Sequence, residues 1–93
     1  MTIAVVQDIA GADFETYQRI MKEVGDERPA GLVTHVAGAT ADGMRIIDVW
    51  ESDDAQQRFL GERLLPARQR VLDGIGVEPV MPRIDVLDVQ HQW

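Results

Sequence analysis

No cysteine occurs in this 93-residue chain, so disulfides, thiolate metal sites and cysteine nucleophiles are excluded together, and nothing points to an oxidising compartment. A cytoplasmic setting is the expectation. Serine is nearly as scarce: Ser52 stands alone, and its place before Asp53-Asp54 fits a helix cap better than a triad nucleophile. Positive charge is short as well, with nine Lys and Arg against sixteen Asp and Glu, and the formal net charge of −7 would repel a phosphate backbone. Nucleic acid is therefore not an expected partner. No apolar run nears the ~20 residues that span a bilayer. The opening Met1 to Asp8 lacks both the basic start and the unbroken apolar stretch of a signal peptide, so neither a membrane nor a secretory role is expected. No Pro, Gly or Ser run divides the chain, which reads as one domain over residues 1–93.

What is present is alternation, then helical spacing, twice over. Ile3 to Asp8 is short, β-branched and apolar and predicts a first strand. Asp13 can cap a helix whose apolar positions Phe14, Tyr17, Ile20, Met21 and Val24 recur every three or four residues until Gly25 stops it. Gly31 to Ala39 and Met44 to Glu51 predict two further strands, with Asp42-Gly43 as the hairpin turn. That turn centre sets His35 opposite Trp50 and Ala37 opposite Asp48, and a slip of two residues would keep the same faces together. Ser52 caps a second helix with Ala55, Phe59, Leu60 and Leu64 on its apolar side; Gly61 and Pro66 predict a kink or restart, after which Ala67 and Val71 continue the stripe to Gly74 and Gly76. Arg68 and Arg70 suit the negative end of that helix. Val80 to Val89 predicts a last strand, which Pro82 assigns to an edge or a strand start.

Two strand-helix-strand units joined by a hairpin give an α+β fold of ferredoxin-like βαββαβ order, a four-stranded antiparallel sheet with both helices on one face. Met44, Ile46 and Trp50 lie on one side of the third strand and Ile47 and Val49 on the other, so the face without helices also needs a cover. A chain this short buries only roughly 60 to 65% of its unfolded surface. A homodimer with two sheets packed face to face meets both needs.

The segments Gly31-Leu32-Val33-Thr34-His35-Val36-Ala37-Gly38 and Ile47-Asp48-Val49-Trp50-Glu51-Ser52, with Phe59 beyond, resemble the dimeric α/β barrel superfamily, and within it the antibiotic-biosynthesis-monooxygenase-like proteins. The resemblance covers nearly the whole chain. It implies a homodimeric α/β barrel, a ligand pocket between each sheet and its own helices, and activities that range from cofactor-independent oxygenation of quinol-type polyketides to haem degradation and isomerisation. Trp50 matches the third-strand Trp of the monooxygenase and haem-degrading branches. Where those branches carry a first-strand Asn, this chain has Gln7 or Asp8; where the haem degraders carry a second-helix His, it has Gln69 between Arg68 and Arg70. A haem would lack an axial imidazole there, because His35 belongs to a strand and His91 to the tail.

The expected function is that of a monooxygenase-like enzyme without bound cofactor, acting on a small aromatic or polyketide-type substrate. His35, Asp48 and Trp50 share one predicted sheet face, with His35 as base, Asp48 as its orienter and Trp50 as aromatic wall and N–H donor. Gln7, Tyr17, Met21 and Phe59 are the candidate substrate contacts. The plainer alternative is a non-catalytic dimeric module that binds a small ligand, with His35 and Asp48 as a buried polar pair and the aromatics as core. Metal binding is not expected, since two His in different strands and no Cys give no converging ligand set. Gly38 and Gly43 flank a hairpin and open no helix, which excludes a nucleotide-phosphate loop.

Overall fold

A computed structural model describes residues 1–93. The elements run β1 (Ile3–Ala10), α1 (Phe14–Val24), β2 (Leu32–Ala39), β3 (Gly43–Trp50), α2 (Asp53–Phe59), a π-turn (Leu60–Leu64), α3 (Leu65–Ile75) and β4 (Arg83–Asp88). All pairings are antiparallel and the sheet order is β2-β3-β1-β4. This is the expected α+β, ferredoxin-like arrangement.

Local chemistry sets the helix ends. The Asp13 carboxylate accepts from the Thr16 N–H at 2.7 Å and opens α1, while Gly25, at φ +96°, closes it by donating to the Met21 carbonyl. Ser52 Oγ accepts from the Ala55 N–H at 3.1 Å and opens α2. Pro66 has no N–H and its ring crowds the carbonyl one turn back, yet the helix does not break. It widens instead: the Leu65 N–H reaches the Leu60 carbonyl, five residues back, and Pro66 falls in the first turn of α3, where a missing donor matters least. Gly74 lies inside α3, and Gly76, in the left-handed region at φ +70°, is the stop.

Two strand expectations need correction. The hairpin centre is Ala41-Asp42, so His35 pairs with Asp48 and Ala37 with Ile46, a slip of two residues from the Asp42-Gly43 turn. Gly43 belongs to β3 because it pairs with Ala10 and presses on β1, where a Cβ would collide with the Ile9 carbonyl oxygen. Close approach of backbone, not a turn conformation, is what this glycine supplies. β4 is shorter than the Val80–Val89 expectation and starts just after Pro82, while β1 runs on to Ala10.

β2 also carries a bulge that the alternation does not reveal. Leu32 pairs with Trp50, but Thr34 pairs with Val49, so Val33 is the extra residue. The insertion lets Leu32 and His35, an odd number of residues apart, both face the helices. Arg28 secures it, its guanidinium donating to the Leu32 carbonyl at 3.0 Å and the Val33 carbonyl at 2.6 Å.

The helix-facing core centres on Ile3, Val5 and Trp50, with Leu32, Ala55 and Phe59 packed on it. The opposite face has no helix. There Val36, Ile47 and Leu87 stay 55, 37 and 52% exposed, flanked by the Arg45–Asp8 pair at 2.7 Å and by Arg83 and Asp85. The Arg45 hydrogen bond and charge hold the Asp8 carboxyl below its usual range. No helix is long and apolar enough to cross a membrane.

Candidate functional site

Register and bulge together place His35 beside Asp48 on the helix-facing side, and α1 lays Tyr17 over them. The His35 Nδ1 lies 2.5 Å from Asp48 Oδ1 and its Nε2 lies 2.6 Å from the Tyr17 hydroxyl. The Tyr17 and His35 rings stack at 6.1 Å and 8°, and Phe14 continues the stack at 5.8 Å and 19°. Asp48 is buried, with its residue only 7% exposed, so its charge is screened little by water. Burial first, and the neighbouring Asp48 charge second, push the Tyr17 phenol above its ordinary value of 10.0.

One proton arrangement is the neutral imidazole with its hydrogen at Nδ1, facing the Asp48 carboxylate. In that tautomer Nε2 is the acceptor and the Tyr17 phenol its donor, while Nδ1–H donates to Asp48. The resulting chain runs Tyr17 O–H to His35 Nε2, then His35 Nδ1–H to Asp48. Such a chain can take up a proton at its outer end and place the positive charge on an imidazole already paired with a carboxylate.

Trp50 faces the same side two residues further along β3 but belongs to a different environment. It is 1% exposed, and its ring meets Phe59 at 5.4 Å, with the Arg63 guanidinium over the Phe59 ring at 5.5 Å. The indole N–H has no acceptor. Gln7 lies on the same face, between Ile46 and Ile84 in register, and takes no part in the Tyr17–His35–Asp48 chain. Met21, on α1, gives its carbonyl to the Gly25 cap. Thus Tyr17, His35 and Asp48 are brought together, Trp50 and Phe59 form a second cluster, and Gln7 and Met21 join neither. An open cleft of about 490 Å³ lies next to the ring stack, between the start of α1 and the β2–β3 hairpin, lined by Ala12, Asp13, Phe14, Gly38, Ala39, Gly43 and Met44.

Three contributions escape the sequence. The first is the hydrogen bond of Tyr17 to His35, for which the only signal is that Tyr17 shares its helical stripe with Ile20, Met21 and Val24. The second is Arg28 at the bulge. The third is Arg63, whose guanidinium reaches from the π-turn to the carbonyls of Val24 and Glu27 at 3.1 and 2.7 Å and ties the end of α1 to the second helical segment.

No family model matches the chain, and no curated protein does. Solved structures do. SnoaB, a cofactor-independent oxygenase from Streptomyces nogalater, is 17% identical with a TM-score of 0.63, over 98% of this chain and 94% of that one. A candidate antibiotic biosynthesis monooxygenase from Chloroflexus aurantiacus is 16% identical with a TM-score of 0.59, over 99 and 98%. NE2512, a protein of unknown function from Nitrosomonas europaea, is 11% identical with a TM-score of 0.68, over 99 and 91%. Identities this low carry the architecture and not the activity. The chain therefore has the ferredoxin-like fold of the antibiotic biosynthesis monooxygenases.

Proposed function

We propose that the chain is a monooxygenase-like enzyme that oxygenates a small hydroxyaromatic or polyketide-type substrate between sheet and helices without a bound cofactor. One observation carries this reading: an imidazole oriented at Nδ1 by a buried carboxylate, with its basic nitrogen turned toward α1. Removing a hydroxyl proton leaves an electron-rich anion that can itself reduce dioxygen. In the overall change of a hydroquinone-type ring, one ring C–H becomes C–OH and the two hydroxyls become the quinone carbonyls; one oxygen atom of O2 enters the product, the other leaves as water, and the substrate supplies all four electrons. In this reading His35 is the base and Asp48 orients it and stabilises the imidazolium, while Trp50 supports the site from the adjoining apolar cluster, with its N–H unpaired. The likeness in fold to SnoaB, a cofactor-independent oxygenase, supports it.

The same reading takes the chain as a homodimer, supported by the apolar residues Val36, Ile47 and Leu87 left on the helix-free face. Sedimentation at micromolar concentration should give twice the chain mass. The activity is tested by oxygen uptake with 1,4-dihydroxynaphthalene as substrate, comparing the parent with His35→Ala. Uptake that His35→Ala abolishes while the dimer stays folded supports the enzyme; a parent that binds the naphthalene and consumes no oxygen makes the chain a non-catalytic binding module.

A further inference from the structure

Both ring nitrogens of His35 are engaged, Nδ1 by Asp48 and Nε2 by Tyr17, so no lone pair on the imidazole is open to a substrate. The Tyr17 oxygen is different. A phenol has one hydrogen to donate and two lone pairs to accept with, and with His35 neutral and protonated at Nδ1 the single hydrogen bond of Tyr17 uses only the hydrogen. The chain of three residues therefore ends in an acceptor, and that acceptor is on α1 and not on the sheet. Tyr17 is also the middle ring of the Phe14–Tyr17–His35 stack, whose outer ring, Phe14, is 57% exposed and lines the cleft beside it.

We propose that Tyr17 is the catalytic residue that receives the substrate's hydroxyl proton while passing its own to His35, and that the site accordingly selects neutral hydroxyaromatic donors over anionic analogues. This rests on the reading of His35 as the base. The step balances without an added reactant: the substrate O–H bond breaks and a new O–H forms at Tyr17, the original Tyr17 O–H breaks as Nε2–H forms, and the substrate is left as its phenolate beside a His35–Asp48 ion pair. Net charge in the site does not change, which suits a place where burial penalises any isolated charge. An open acceptor calls for a donor, and a flat ring stack calls for a flat ligand. A carboxylate or phosphate in place of the hydroxyl brings no proton to the acceptor and meets the field of Asp48 and of a chain with net charge −7.

The probe is 4-nitrophenol, in buffer acidic enough that the free compound is neutral, because its anion absorbs in the visible. Bound to the parent protein at saturation, it should show the anion band while ¹⁵N NMR of His35 moves to the charged-imidazole signature. Tyr17→Phe keeps the ring and its stacking, and should bind the probe within about threefold of the parent yet leave it neutral and His35 unchanged. 4-Nitrophenyl phosphate should bind at least tenfold more weakly than 4-nitrophenol. Anion formation that persists in Tyr17→Phe overturns the relay through Tyr17 and leaves the base reading of His35 standing. Absence of the anion in the parent at saturation overturns both, and equal affinity for the phosphate overturns the selectivity.

Discussion

Two ends of one sheet face, separated by two residues of β3, differ in almost every physical respect. Around Trp50 the chain is dry: Ile3, Val5, Leu32, Ala55 and Phe59 surround the indole, and α2 with its π-turn covers them. Around Asp48 it is polar, with a carboxylate, an imidazole and a phenol in series under α1, next to an open cleft. The register that pairs Asp48 with His35 and Trp50 with Leu32 makes the division. One end stores stability and the other can move a proton, so substitutions at the two should fail in different ways.

The sharpest test is Trp50→Ala, which should lose about 3–5 kcal/mol in urea unfolding, as expected when a large aromatic is cut from a packed core. A loss below about 1 kcal/mol would mean that this end is not the core. Next in size is Asp48→Asn, which keeps an acceptor for Nδ1–H but removes the charge that stabilises the imidazolium. Its stability should stay within about 1 kcal/mol of the parent, while oxygen uptake on 1,4-dihydroxynaphthalene should fall on the order of 10²-fold or more. If the two quantities fall together, the polar end is structural like the other.

Arg28→Ala removes two hydrogen bonds to the bulge carbonyls at the surface. It should cost about 1 kcal/mol and broaden the His35 amide and imidazole NMR signals, because the bulge aims that side chain; an unmoved His35 would show that the bulge holds without the arginine. The smallest effect concerns alkaline pH. A phenol whose folded value is raised keeps its proton more tightly in the native chain, so the stability it contributes is complete below its ordinary 10.0 and is lost as pH rises through the higher folded value. Melting temperatures taken upward from about pH 9 should therefore fall more steeply in the parent than in Tyr17→Phe; equal slopes would place Tyr17 in water.

Much of this division could be read before the structure. Alternation in β1 and β3, the caps at Asp13 and Ser52 and the stripe of α1 depend on near neighbours in the chain, and those elements lie where the pattern puts them. The shared face of His35, Asp48 and Trp50 follows from parity alone and survives the slip in register. What parity could not give was the partner across the hairpin, because Gly43 is fixed by contact with Ile9 on a strand more than thirty residues earlier. Nor could it give the Val33 bulge, whose carbonyls are held by Arg28, or the reach of Tyr17 to His35, which depends on how α1 settles on the sheet. The fold was legible because it is built from local rules; the proton chain was half legible because its outer member arrives by tertiary packing.

The π-turn has a bearing on how this sequence can vary. It acts as a one-residue phase shift in an otherwise regular spiral: upstream, Ala55 and Phe59 point inward, and downstream, Ala67 and Leu72 do. Excising a single residue such as Gly61 would remove the extra residue that the wide turn takes up, leaving an unbroken α-helix that still turns Ala67 and Leu72 inward. Homologous chains are thus free to lose one residue across Leu60–Leu64, whereas a one-residue deletion in the regular turns of α3 would swing every later side chain by about 100° and carry Leu72 off the core.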